Sequence, residues 1–465
     1  MLASTALRLL LNLERPLWFD ELFSIWAARL PLPDLLAALR ADSGPPLFYV
    51  LAKPFVLLAE RLADGAWIAR VPSLLAALLL FAGVRTFSKT SERSWFVLLL
   101  SCSLLLNLYS AEARSYAVLS LLCLVLFRLA LFGEPTGTRL CAVAVVGALA
   151  LYLHYLALFA IAALLILTAS ARRWRSCLAL AAGAALFAPW VPIFRAQPFA
   201  AVGWMREAAW PSALGFLSAL GGVGRAPAPF GPVAPPVLYF GGAVVAVLSL
   251  GLLLAYARTD RAVGEAAGFV LLVLAGALAA GLSKPIAFAG RTELAVLPVW
   301  IWGLARAAPA VRALRPICVL SAALGLAATL AVVMAPHPPS PSVALAETLA
   351  HVAGPGDVVV AATGFYLPAR LASEQGRLAA RVEPFTRDLG EHPGWFVSAM
   401  PGAEEESRLA SALASVAPGK RLFFVIPPVY ATSALARVFA APGGRARELM
   451  RSPDALVVLW TRAPS

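Results

Sequence analysis

Residues 46–58, Pro46-Leu-Phe-Tyr-Val-Leu-Ala-Lys53-Pro54-Phe-Val-Leu-Leu58, are apolar enough to be counted as a membrane-crossing helix. They are also short, and a lysine and a proline break them. Whether they cross decides on which side of a bilayer every later loop lies. If they do not cross, Arg85, Lys89 and Arg93, then Arg139, then Arg172, Arg173 and Arg175, then Arg258 and Arg261, then Arg306, Arg312 and Arg315 share one side. If they do cross, the alternation inverts from the first of these loops onward. Basic loops are retained on the cytoplasmic side. The non-crossing reading is therefore favoured, with residues 46–58 lying in the outer interface as a juxtamembrane helix.

Composition places the chain in a membrane. Of 465 residues, 61% are hydrophobic and only 14% charged, with a mean hydropathy of +0.81. So little polar side chain cannot cover so large an apolar mass in water. Lipid forces the crossing backbone into helices, because unpaired N–H and C=O groups find no water there. The apolar runs are continuous, not alternating, which argues against a β-barrel. The net charge of +13 reads as topological and not as a nucleic-acid footprint, since no basic patch carries interleaved aromatics. Cys102, Cys123, Cys141, Cys177 and Cys318 all lie in apolar runs without metal-ligand spacing and read as small core residues.

Apolar runs at 67–84, 95–109, 116–132, 177–194, 237–256, 262–282, 294–304 and 317–334 are the strong spanning candidates. Residues 140–169 are too long for one helix, and His154-Tyr155 near the middle predicts two helices joined by a tight turn. Residues 2–13 hold Arg8 and fall short of the ~20 residues a crossing needs. Either that helix continues past Leu13 or its start is missing, and the latter is expected. The total comes to about eleven spans by length. The expected fold is an all-α polytopic membrane domain over residues 1–335, with a first outer loop at about 14–66. Pro336, Pro338, Pro339 and Pro341 mark a linker at 336–341. Strand-like 358–362, 421–426 and 455–460 alternate with helical stretches and predict a small α/β domain over 342–465. After an odd number of crossings that domain lies outside the membrane, and the N-terminus lies in the cytoplasm.

The outer loops gather the ionisable residues that could carry chemistry. Asp20-Glu21 follow the first helix as adjacent carboxylates, able to take a proton from a hydroxyl if partly desolvated. They could equally cap the helix that follows, Asp20 by hydrogen bonding and Glu21 through the dipole. Asp42 precedes Gly44-Pro45-Pro46 and could be a plain turn. Glu112 and Arg114 could be an interfacial ion pair of little energetic weight. His154 and Tyr155 sit at the predicted hairpin tip. Lys284 and Arg291 flank an outer loop and could simply reach for the interface. No ligand spacing specifies a metal, although acids and His154 share a face, so a divalent cation stays open.

Taken in order, these segments resemble a known family. Trp18-Phe-Asp20-Glu21, Asp42 with Pro45-Pro46-Leu47, Arg70-Val-Pro-Ser73, Glu112-Ala-Arg114-Ser-Tyr116, His154-Tyr155 and Arg291 with Pro298 are similar to the GT-C glycosyltransferases. The branch they resemble contains protein O-mannosyltransferases, aminoarabinose transferases of lipid A and rhizobial lipopolysaccharide-core transferases. The resemblance covers roughly residues 7–306. It implies an inverting transferase in the bacterial inner membrane. The donor would be a polyprenyl-phosphate sugar and the acceptor a hydroxyl on a protein, lipid or glycan at the outer face. By the same resemblance Asp20 is the general base. Glu21, Asp42, Glu112, His154 and Tyr155 shape the acceptor or donor sugar site, and Arg114, Lys284 and Arg291 hold the donor phosphate. A lipid-linked glycan flippase would instead show internal repeats and broken helices with polar residues at mid-membrane. An outward-facing polysaccharide polymerase would not need the Asp-Glu pair directly after the first helix.

Overall fold

The computed structural model describes residues 8, 15–62, 65–198, 209–226, 235–283, 286–394, 403–428, 444–453 and 455–462. The chain divides into two compact units, one of Met1–Arg15 with Ala28–His337 and the other of Pro16–Ala27 with Pro338–Ser465. Helix α1 (Phe19–Arg29) straddles that division, with most of its length, including Asp20 and Glu21, in the second unit. Of the expected first helix at 2–13, only Arg8 is among the described residues.

The first unit is helical: α2 (Leu32–Arg40), α3 (Leu47–Ala59), α4 (Val71–Phe87), α5 (Thr90–Cys102), α6 (Leu104–Ser110), α7 (Tyr116–Leu131), α8 (Gly137–Leu153), α9 (Ala157–Ser170), α10 (Trp174–Ala185), α11 (Val191–Ala196), α12 (Ala209–Leu220), α13 (Pro236–Tyr256), α14 (Arg261–Gly281), α15 (Leu297–Ala307) and α16 (Leu314–Met334). Among the described residues five stretches are helical, long and apolar enough to cross a membrane: Trp67–Phe87, Trp174–Ala196, Pro236–Tyr256, Arg261–Gly281 and Leu314–Met334. The bent pair α5–α6 would make six. Helices α7, α8 and α9 have 16, 17 and 14 residues. At the usual rise they are about 21–26 Å long, under the ~30 Å of a hydrocarbon core. The expected crossing at 294–304 is a 3-10 turn (Thr292–Ala295) followed by the 11-residue α15, which is too short to cross alone. Of α15 only Arg306 is not fully buried, as befits a helix apolar on every face.

Residues 95–109, read as one straight span, bend by 65° between α5 and α6. The Leu104 amide abandons the helix ladder and donates to the Gly222 carbonyl at 3.0 Å. Gly222 has φ +99°, open to glycine at little cost. Helix α16 brings Gly325 against the break, where a Cβ would stand 2.3 Å from the Cys102 carbonyl oxygen. Close backbone approach through small residues is how helices associate where no hydrophobic effect drives them. The turn expected at His154-Tyr155 is present between α8 and α9. Cys102, Cys123 and Cys318 are buried, but Cys141 is exposed, against the core reading. A lipid-facing position is as apolar as a core one, so composition does not separate them.

The second unit carries a five-stranded sheet of order β2-β1-β3-β5-β4, built from β1 (Val358–Ala361), β2 (Arg381–Pro384), β3 (Arg421–Ile426), β4 (Gly444–Arg451) and β5 (Leu456–Arg462). The first three strands are parallel, and β5 and β4 are added antiparallel. Helices α17 (Pro341–Val352), α18 (Tyr366–Glu374), α19 (Arg387–Glu391) and α20 (Ala403–Ser415) complete it. Side chains alternate across a strand. Val358 and Val360 join the core under Leu409 and Leu413 of α20, and Val359 and Ala361 join the core with Leu349 and Ala369 of α17 and α18. Asp357 locks β1 to β3, accepting from the Arg421 guanidinium at 2.7 Å and the Arg421 amide at 2.9 Å. From α1, Phe23 and Trp26 pack on His392, with ring centres 5.3 and 6.0 Å away.

Candidate functional site

The turn between α6 and α7 is where two of the sequence motifs meet. Arg15 donates from its guanidinium to the Ala111 carbonyl, and Arg70 donates to the Arg15 carbonyl at 2.9 Å. Ser73, on the first turn of α4, donates its hydroxyl to the Arg114 carbonyl at 3.0 Å. The Arg114 amide in turn bonds the Glu112 carbonyl at 2.8 Å. The segment carrying Glu112 and Arg114 is thus fixed from the Arg70-Val-Pro-Ser73 segment. Glu112 is fully buried, Arg114 partly.

Tyr116, the first residue of α7, is the centre of the cluster. Its ring lies 4.9 Å from that of Tyr109 and 4.9 Å from the imidazole of His154. The Arg114 guanidinium stands 6.0 Å from the Tyr116 ring centre and that of Arg291 5.7 Å. Two cations therefore flank one aromatic face system, each within the range of attraction to a ring quadrupole. Arg291 also lies 5.3 Å from the Phe288 ring centre. Arg114 and Arg291 meet at this ring through tertiary contacts, with the 3-10 turn of Thr292–Ala295 tied to α7 by the Ser120 hydroxyl on the Leu294 carbonyl at 2.6 Å.

Arg291 owes its placement to a tight turn. The Gly290 amide donates to both carboxylate oxygens of Glu293 at 2.9 Å, and the Thr292 hydroxyl spans the Phe288 amide and carbonyl at 3.1 Å. Gly290 has φ +93°, and a Cβ there would stand 2.2 Å from the Arg225 carbonyl oxygen, so only glycine fits. Glu293 is fully buried, and burial pushes its carboxyl up to about 7 against the pull of the Gly290, Glu293 and Arg291 amides.

His154 closes the cluster from the α8–α9 turn. Its Nδ1 accepts the Leu156 amide at 3.1 Å, which leaves Nε2 as the protonated nitrogen of a neutral ring. Burial of the ring, then the positive charges of Arg114 and Arg291, hold its pKa down to about 3. The neighbouring Tyr155 points its chemistry elsewhere. Its hydroxyl donates to Gln197 Oε1 at 2.7 Å and accepts from Trp190 Nε1 at 2.9 Å. Gln197 Nε2 donates to the carbonyls of Leu39 and Gly44 at 2.8 and 3.0 Å, which binds the loop carrying Asp42 to the same network. Burial raises the Tyr155 hydroxyl to about 12, with the Asp42 charge acting in the same direction.

Of the expected site residues, Arg114, Arg291 and His154 converge, with Glu112 beside them on the α6–α7 turn. Asp42 and Tyr155 share the second network. Asp20 and Glu21 belong to the second unit. Helix α1 begins at Phe19, so Asp20 stands in its first turn and is not the residue preceding it. Glu21 reaches back toward the Trp18 amide at 3.4 Å, the capping role expected of Asp20. Lys284 lies outside the described residues. Among the described residues no three His, Cys, Asp or Glu side chains are grouped as metal ligands. Tyr109, Glu293, Trp190 and Gln197 were not singled out from sequence. An acid two residues after Arg291, directly ahead of the apolar run at 294–304, was the local signal that could have found Glu293.

No family model matches the chain, and no curated protein matches it. Among solved structures it is similar to ArnT from Cupriavidus metallidurans in the apo state, with a TM-score of 0.57, 13% identity, and 98% of this chain and 96% of that one covered. ArnT from the same organism bound to undecaprenyl phosphate matches with a TM-score of 0.57 and 13% identity, over 98% of this chain and 97% of that one. The likeness spans both units, and it is one of fold. The helical architecture with a small C-terminal sheet domain, expected from the apolar runs and from the alternation of strand-like and helical stretches, is the architecture found, and its fold is ArnT-like.

Proposed function

We propose that the chain moves a sugar from a polyprenyl-phosphate donor to an acceptor hydroxyl at the outer face of the bacterial inner membrane, with inversion. The observation that carries this reading is the convergence of Arg114 and Arg291 on Tyr116 within an ArnT-like fold. Two guanidinium groups beside an apolar helical scaffold suit a lipid phosphate, and a solved ArnT holds undecaprenyl phosphate. The acceptor oxygen attacks the anomeric carbon as its proton passes to the Asp20 carboxylate. The bond from the anomeric carbon to the phosphate oxygen breaks with its electron pair, and the arginines stabilise the charge that grows there. A positioned base contributes typically about 10²–10⁴-fold. Glu21 and Asp42 shape the sugar and acceptor sites in this scheme, Glu112 and Tyr155 support them, and Lys284 adds a third cation for the phosphate. Neutral His154 acts as a hydrogen-bonding group and not as a second cation.

The test is transfer of radiolabelled sugar from a synthetic polyprenyl-phosphate donor by the purified protein in nanodiscs, run with Mg²⁺ and with EDTA. Asp20→Asn should abolish transfer while expression and membrane insertion stay intact. Wild-type turnover in that variant would remove Asp20 from the mechanism.

A further inference from the structure

A cavity of about 360 Å³ opens in the second unit between the edge strand β2 and helix α20. Its lining is unlike the apolar cores on either side of the sheet. Ser407, Ser411 and Ser415 recur every four residues along α20 and so line up on one face of it. Arg381 and Glu383 on β2 form an ion pair at 2.9 Å, and Arg381 also donates to the Ser415 hydroxyl at 2.8 Å. Arg408 adds a second guanidinium, so the lining carries net positive charge. Pro384, Phe385 and Leu409 supply an apolar wall.

Thr386 is the independent observation that this lining is built for a ligand. It lines the cavity, is 5% exposed, and its hydroxyl has no hydrogen-bond partner among the described residues. A buried hydroxyl left unmatched is uncommon in a folded protein and calls for a partner from outside. Its backbone sits at φ +101°, an outlier for a β-branched residue.

We propose that this cavity binds one carboxylated sugar residue. Its volume lies at the small end of the range for small-molecule sites, about 300–1,000 Å³, which suits a single pyranose ring. Ser411 gives its proton to the Ser407 carbonyl, so its oxygen serves as an acceptor for a sugar hydroxyl, while the Ser415 oxygen already accepts from Arg381. Thr386 can donate as well as accept. The Arg381 charge is matched by Glu383, and the Arg408 guanidinium is the group to receive a carboxylate. The apolar wall faces the C–H surface of the ring. That the sugar belongs to the acceptor, making it an acidic glycan or glycolipid, rests on the transferase reading. The binding itself does not.

Saturation-transfer NMR on the full-length protein in nanodiscs, without donor lipid, tests it. Glucuronate and galacturonate should receive saturation, glucose roughly tenfold less, and acetate none at equal concentration. Arg408→Ala and Ser411→Leu, both at exposed positions, should each cut the uronate signal by about tenfold with melting unchanged. Uronate signals equal to wild type in both variants would overturn the site. Acetate or inorganic phosphate binding as well as uronate would reduce it to an adventitious ion only, and glucose binding as well as uronate would overturn the role of Arg408. Uronate binding that persists while sugar transfer fails would count against the transferase reading and leave the cavity assignment standing.

Discussion

The guanidinium of Arg291 lies 5.7 Å from the ring centre of Tyr116, although 174 residues separate Leu294, in the turn just after that arginine, from the Ser120 hydroxyl of α7 that ties the two segments together. Arg114 reaches the same ring from the other motif. Cation over ring is a geometry arginine fills better than lysine. Arg291→Ala should lower kcat/KM for transfer by roughly 10²–10³-fold, the scale of losing a charge-stabilising donor. Arg291→Lys should recover only part of it, and Tyr116→Phe should stay near wild type because the ring face is retained. Steady-state transfer kinetics check all three, and full activity in Arg291→Ala would detach this cluster from the donor phosphate.

His154 should not titrate in the working pH range. Its pKa is held at about 3 by burial and by Arg114 and Arg291. The unfolded chain takes up this proton below about 6.5, while the folded chain does so only near 3. The ring therefore contributes stability that is present above about pH 6.5 and is lost as pH falls from there toward 3. Histidine-selective NMR of the labelled protein should show one ring, absent in His154→Gln, with no shift change between pH 5 and 8.

Glu293 should behave in the opposite sense. Burial raises its carboxyl to about 7. The folded state holds the proton that the unfolded state gives up near 4.3, so stability falls as pH rises from about 4.3 to 7 and levels off above. A protonated-carboxyl infrared band should disappear through an inflection near pH 7 and be missing in Glu293→Gln. Because Glu293 accepts the Gly290 amide that shapes the Arg291 turn, the Gln variant, which keeps an acceptor oxygen, should retain more transfer than Glu293→Ala.

The Tyr155 hydroxyl accepts a hydrogen bond from the Trp190 indole N–H and donates one to Gln197. Tyr155→Phe leaves the indole N–H and the Gln197 oxygen without this partner, at a cost of about 1–3 kcal/mol. A lower melting temperature in detergent, with Trp190 emission altered, is the expected readout. An unchanged melt would show that the network does not hold the Asp42 loop.

In the second unit, Asp357 accepts from the Gly354 amide and from the amide and guanidinium of Arg421. Burial pulls its carboxyl up, but these bonds outweigh it, and the net position is below the usual value. Asp357→Asn should lower stability by about 1 kcal/mol near neutral pH, discounted because Arg421 is well exposed. The difference between variant and wild type should shrink as pH drops below about 4, where the unfolded and then the folded carboxylate protonates. Chemical denaturation followed by circular dichroism would show it.

The sequence by itself determined the solvent, most of the helices, the turn at His154-Tyr155 and three of the five strands of the C-terminal sheet, β1, β3 and β5. These follow from local composition and period, which each segment carries alone. It also supplied Arg114, Arg291 and His154 as candidates, because a charged or polar side chain beside an apolar run is conspicuous wherever it lies. Only the tertiary structure decided the rest. Leu104 leaves the helix ladder for Gly222, and nothing in residues 95–109 announces a carbonyl more than a hundred residues away. Tyr116 becomes the meeting point of two arginines because α7 and the Arg291 turn are packed together. Asp20 and Glu21 fall in the C-terminal unit, where Phe23 and Trp26 of the same helix pack at an angle on the His392 ring. Contacts between distant segments depend on which surfaces fit, and apolar composition reads the same for a core face, a lipid face and a contact face.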